Sequence, residues 1–229
     1  MHSTTLVAVA LIACSSSAAD TPTGDLPGAR FERDMMARYH MHQNFDLGRG
    51  IERLLIRGKL DDAKRFADSI GGAEDDPKHG PYAAQMVRVR ERAVELAHAS
   101  DLDDAIRKVA KLGAACGNCH GELKVGPAFE SFPSVPVDKH TLASRMQRHR
   151  WAVDRLWEGV VGNADKTWRA GLDVLASQAF EEPVERGAHG RKLQQLAIKA
   201  RKPNAGPLAD RATTYGEILI ECAGCHTGR

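Results

Sequence analysis

Two copies of the pattern Cys-x-x-Cys-His lie far apart in this chain, at residues 116–120 and 222–226. Two thiols at this spacing can add to the two vinyl groups of one porphyrin, and the histidine that follows can bind the iron. Because each copy closes a long helical stretch, the pattern constrains the fold as well as the cofactor. We predict two covalently bound haem c groups, attached through Cys116, Cys119, Cys222 and Cys225 and coordinated on the proximal side by His120 and His226.

Paired cysteines at this spacing also occur in structural zinc sites and in dithiol redox sites. A zinc site would leave the histidine after each cysteine pair unexplained. A thioredoxin-like site requires strands, and the sequence shows no convincing strand pattern. Haem is therefore the favoured interpretation, and zinc and dithiol chemistry are the alternatives.

Apolar residues recur at helical spacing through most of the chain. The pattern predicts eight helices, at 30–57, 60–70, 81–99, 102–121, 138–161, 164–180, 184–202 and 207–227. Pro81 and Pro207 fall at predicted helix starts, where the missing N–H costs nothing, and Asp101 is a plausible N-cap. We expect an all-α fold.

The two motifs are 106 residues apart (222 minus 116), and each lies at the end of the fourth helix of its half. This arrangement indicates an internal duplication. Between the halves, Pro127, Pro133 and Pro136 are unsuited to continuous helix. We therefore expect two tandem four-helix bundles, at 30–121 and 138–229, joined by a linker at 122–137.

An apolar run at residues 6–13 is too short to span a bilayer and ends directly before Cys14. It resembles a bacterial lipoprotein signal at 1–13, in which Cys14 is lipidated and becomes the mature N-terminus. The alternative is an ordinary secretory leader that is cleaved after 17–19. Cys14 is also the one cysteine that the two haem motifs leave over. We expect an exported, periplasmic protein, held at a membrane through Cys14 and a flexible tether at 14–29.

A haem motif at the end of the last helix of a four-helix unit resembles class II cytochromes c, the cytochrome c′ family. The resemblance covers 30–121 and 137–229, in two copies. It implies that the first helix of each bundle faces the open side of its haem. In that family this helix supplies a sixth iron ligand, often methionine, or an apolar residue that leaves the iron five-coordinate.

The distal residues follow from superposing the two halves. An offset of 105 residues pairs Met41 with Met146 and aligns the apolar stripes of the two helices. An offset of 107 pairs His42 with His149, but it sets charged residues of the first half opposite apolar residues of the second. We predict Met41 and Met146 as distal ligands. Histidine ligation by His42 or His40 and by His149, and five-coordinate iron, are the alternatives.

Other histidines and the tryptophans have ordinary interpretations. His189 falls on a polar face and is expected to be solvated. Trp151, Trp157 and Trp168 lie on consecutive helices of the second half and are expected to pack in its core or against the haem edge.

These features favour an electron carrier without enzymatic activity, since no substrate domain and no hydrolase or phosphate-binding motif stands out. Its expected partners are periplasmic or membrane-bound redox proteins. The net charge of +2 gives no indication of nucleic-acid binding. A peroxidase-like haem enzyme and a gas-binding protein with a five-coordinate haem are the alternative functions, and each requires an open iron site.

Overall fold

The computed structural model describes residues 27–72, 82–124, 127, 132–177, 184–202 and 205–228. The predicted signal at 1–13 and Cys14 lie outside these residues, as does most of the tether predicted at 14–29. The last three residues of that tether are helical, because the first helix begins at Pro27. Proline suits the first helical position, where its fixed φ is already that of a helix.

The described residues form eight α-helices and no strand, which confirms the prediction of an all-α fold. The helices are α1 Pro27–Ile56, α2 Leu60–Gly71, α3 Ala83–Ala97, α4 Leu102–Leu123, α5 Leu142–Val161, α6 Asp165–Ser177, α7 Val184–Ala200 and α8 Leu208–Thr227. None of them is long and apolar enough to cross a membrane.

Local capping determines where two of the central helices begin. Asp101 caps α4 as predicted, since its Oδ1 accepts a hydrogen bond of 2.8 Å from the backbone N–H of Asp104. Helix α5 begins four residues later than predicted, because Thr141 caps it and forms a reciprocal capping box with Ser144 in its first turn. Within the predicted linker, α4 continues to Leu123 and residues 132–139 are not helical.

Consecutive helices pack against each other within each half, and the most extensive contact between the halves is that of α4 with α8. These two helices run antiparallel. Gly117, near the end of α4, faces Leu208 at the start of α8, whereas Gly216 in α8 faces Arg107 in the first half of α4. The two Cys-x-x-Cys-His motifs therefore lie at opposite ends of the helix pair, and their nearest residues, Cys116 and Cys222, are about 20 Å apart along its axis at 1.5 Å per residue.

Trp157 of α5 lies at the centre of a single core to which both halves contribute. Its ring centroid is 6.5 Å from that of Phe45 in α1 and 5.9 Å from that of Tyr215 in α8. Gly48 and Gly113 lie so close to the indole that a Cβ at either position would overlap with it. The halves are therefore joined by direct packing, and Trp157, like Trp151 and Trp168, is a core residue as predicted.

Candidate functional site

The first motif occupies the last two turns of α4. Helical spacing places Cys116, Cys119 and His120 on one face, because residues three and four apart are neighbours on a helix. Cys119 is buried, whereas Cys116 and His120 are half-buried. Both thiols and the imidazole can therefore reach one planar group lying against the end of this helix.

His120 is held by the end of α5. Its Nδ1 lies 2.7 Å from the backbone oxygen of Val161, and because a carbonyl can only accept, Nδ1 is the donor. In the neutral ring this leaves the lone pair on Nε2. Burial lowers the pKa of His120, and the bond to Val161 offsets part of that effect. The ring is thus neutral, and its Nε2 carries the lone pair that can bind a metal. Nδ1 is held by a backbone carbonyl, as in many metal-ligating histidines.

Gly117, inside the first motif, allows α4 to lie directly on α5. A Cβ at this position would lie 2.2 Å from the backbone oxygen of Val160 and 2.8 Å from Cδ2 of Leu208. No side chain fits in that space. The close approach brings the end of α5, with its Val161 carbonyl, to His120.

The second motif occupies the last two turns of α8, with Cys222, Cys225 and His226 on one face. Cys222 and Cys225 are half-buried, and His226 is exposed. Ala223 and Gly224, between the two cysteines, are buried against the rest of the protein. Both motifs therefore place two cysteines and a histidine on one face of a helix, but the histidine is half-buried in the first motif and exposed in the second.

His189 of α7 supports the rear of the second motif, and the prediction that it is solvated is wrong. It lies so close to Gly224 that a Cβ there would be 2.4 Å from its Cε1. Its Nδ1 is 2.8 Å from Oε2 of Glu221, the residue directly before Cys222. The sequence did carry a signal, because His189 shares a spacing of four residues with the buried Leu193 and Ala197.

The protonation of the motif cysteines limits their chemistry. Burial, the largest cause, raises the pKa of both Cys116 and Cys222 to about 12, and their neighbouring thiols raise it further. Reactive dithiols require thiolates, whose formation is favoured by a lowered pKa. The raised pKa of these two thiols therefore disfavours the dithiol redox alternative.

The predicted distal residues lie on α1 and α5. Met41, His40 and Met146 are half-buried, whereas His42 is exposed. His149, one turn after Met146, is close enough to the second motif for the charge of His226 to act on it.

Burial first, then His226 and Arg148, lower the pKa of His149 to about 4. Its ring is therefore neutral at physiological pH, at a position where the charge of His226 acts on it. The choice between methionine and histidine ligands stays a prediction.

Among the residues that the structure describes, no group of three or more His, Cys, Asp or Glu side chains is placed to hold a metal ion. A haem needs no such group, because the porphyrin supplies four ligands and the protein only the axial ones. In comparisons with known proteins, no family model, no curated protein and no solved structure matches this chain. The class II cytochrome c resemblance therefore stays a prediction.

Proposed function

We propose that this protein is a di-haem c-type cytochrome that carries single electrons between redox partners. The observation that carries the proposal is the pair of motifs, each with two thiols and an imidazole on one face of a helix end. Each bound haem supplies a one-electron iron couple. Cys116 and Cys119 hold the first, Cys222 and Cys225 hold the second, and His120 and His226 are the axial ligands from the motifs.

The packing of the chain supports two haem-binding units of the class II cytochrome c kind, at 30–121 and 138–229. Each half has four helices in the same order and carries its motif at the end of the fourth. The antiparallel contact of α4 with α8 holds the two attachment sites apart at fixed positions. The shared core around Trp157 joins the two halves between these sites.

The cellular setting proposed for this cytochrome is the periplasmic side of a bacterial membrane. Lipidated Cys14 would attach the protein to the membrane, and periplasmic or membrane-bound redox proteins would exchange electrons with it. The nearly balanced charge, 32 basic against 30 acidic residues, is compatible with such protein partners and gives no support to nucleic-acid binding.

Haem content and spin state test this proposal directly. We expect two covalently bound haems per chain of the purified protein, both low-spin in optical and electron paramagnetic resonance spectra and both unreactive to carbon monoxide. A chain without covalent haem would overturn the proposal. A high-spin haem that binds carbon monoxide would favour a peroxidase-like enzyme or a gas-binding protein over an electron carrier.

For the distal ligands we propose Met41 at the first haem and His149, rather than Met146, at the second. His149 is favoured because the charge of His226, the proposed proximal histidine of the second motif, acts on it and because its ring is neutral. Methionine ligation raises the reduction potential relative to two imidazoles. The first haem is therefore expected to have the higher potential of the two.

Replacing His149 by alanine is expected to convert one of the two haems from low-spin to high-spin and to make that haem bind carbon monoxide. The reason is the loss of its sixth ligand, while the proximal His226 and the thioether bonds remain. Electron paramagnetic resonance and carbon monoxide difference spectra measure the change. Met146→Ala, one turn away on the same helix, is the matched control and should leave both haems low-spin. If Met146→Ala produces the high-spin haem and His149→Ala does not, Met146 is the ligand.

A further inference from the structure

A buried carboxyl group lies where the two halves meet. The side chain of Glu52 in α1 is only 2% exposed, and the Tyr215 ring in α8 is fully buried. The Tyr215 hydroxyl donates a hydrogen bond of 2.6 Å to Oε2 of Glu52. Arg49, one turn earlier in α1, is hydrogen-bonded to Asp154 of α5. Arg49, whose charge acts on Glu52, is therefore already engaged by another carboxylate.

Three helices bring titratable and charged groups to Glu52. Arg49 and Arg53 come from α1, Asp154 from α5, and Tyr215 and Cys222 from α8. Burial, the largest cause, raises the pKa of Glu52 to about 7, and Asp154 adds to the rise. The hydrogen bond from Tyr215 and the charges of Arg49 and Arg53 act in the opposite direction.

The charge balance of this cluster depends on the protonation of Glu52. Arg49 and Asp154 form one ion pair, so the buried groups are neutral together when Glu52 carries a proton. When Glu52 ionises, the cluster has one uncompensated negative charge in a medium that solvates it poorly. The charge of Glu52 also reaches the second motif, where it raises the pKa of the Cys222 thiol.

Resting on the di-haem function proposed above, we propose that Glu52 is a redox-linked proton site. Its carboxylate binds one proton from water when one electron from a redox partner enters the second haem, and it releases that proton on oxidation. An O–H bond of a solvent hydronium ion breaks as an O–H bond forms on Glu52, and the redox partner is oxidised by one electron as the haem is reduced. Tyr215 continues to donate to Oε2. An added electron disfavours a nearby buried anion, and by linkage the bound proton favours the added electron equally.

The reduction potential of the second haem, measured through a pH range centred on the Glu52 pKa of about 7, tests this site. We expect the potential to fall as pH rises, because the proton that accompanies the electron becomes scarcer. Full coupling changes the reduction equilibrium tenfold per pH unit, which is about 59 mV for one electron. In Glu52→Gln the slope in this range should disappear, because the amide cannot take up the proton.

Two further variants distinguish protonation of Glu52 from the effects of neighbouring groups on the reduction potential. Tyr215→Phe removes a hydrogen bond that lowers the pKa of Glu52, so the sloping range should move to higher pH. This variant also tests the site if Glu52→Gln does not fold. Glu158→Gln replaces another buried carboxylate, one already bonded to Arg155, and should keep the slope.

A second measurement reads the carboxyl group itself. The infrared difference spectrum between reduced and oxidised protein should show a protonated carboxyl band that Glu52→Gln lacks. A slope that survives in Glu52→Gln would assign the proton to another group, such as a haem propionate, and would overturn the inference. Two haems with potentials independent of pH would overturn it as well. A chain that binds no haem would overturn the proposed function instead.

Discussion

The double variant Cys222→Ala, Cys225→Ala is expected to carry one covalent haem per chain instead of two. Each motif attaches its haem with its own two thiols, and the motifs lie at opposite ends of the α4–α8 pair. Loss of one attachment site therefore leaves the other in place. Mass spectrometry of the denatured protein, together with the haem absorbance in alkaline pyridine, counts the haems. The counterpart double variant Cys116→Ala, Cys119→Ala should also retain one haem, attached at the second motif.

The fifth cysteine provides the matched control for this experiment. Cys14 belongs to neither motif, so Cys14→Ala should keep both haems. Retention of two haems after the loss of Cys222 and Cys225 would contradict the assignment of those thiols. A metal analysis that finds zinc, lost in step with the cysteines, would favour the structural zinc alternative.

The second large effect is expected from Trp157→Ala, which should lower the free energy of unfolding by about 3–5 kcal/mol, the usual cost of truncating a large buried aromatic residue. The indole, which projects from α5, packs against α1, α4 and α8, and Gly48 and Gly113 leave it no space to shift. Denaturant unfolding, followed by circular dichroism and by haem absorbance, measures the loss. Because the core is shared, both signals should change in one transition, shifted to lower denaturant.

Trp151 is the matched control, because it is also a tryptophan of α5 but occupies a different position in the core. It lies nearer the edge of the core, is 8% exposed and donates a hydrogen bond of 2.8 Å to the backbone oxygen of Pro133. Trp151→Ala should therefore cost less stability than Trp157→Ala. Two separate transitions, with Trp157→Ala affecting only one of them, would show that the halves unfold as independent bundles and that the shared core contributes little.

Local features of the chain were predictable. The helix bounds follow from apolar spacing and from caps such as Asp101, which act over one or two turns. The thiols and histidine of each motif fall on one face because three- and four-residue spacings do so on any helix. Both features depend on neighbours in the sequence. The misreading of His189 shows the limit, since its exposure depends on α8, which covers it from far along the chain.

The sequence by itself determined eight helices and two Cys-x-x-Cys-His motifs, whose spacing is that of covalent haem attachment. Only the tertiary structure decided how the halves meet. Arg49 and Asp154 are 105 residues apart, the same offset that aligns the two halves, yet alignment does not show that equivalent positions touch. They touch because α1 and α5 meet around Trp157 in the shared core. The bond between Tyr215 and Glu52, 163 residues apart, likewise exists only because burial of the shared core brings α1 and α8 together.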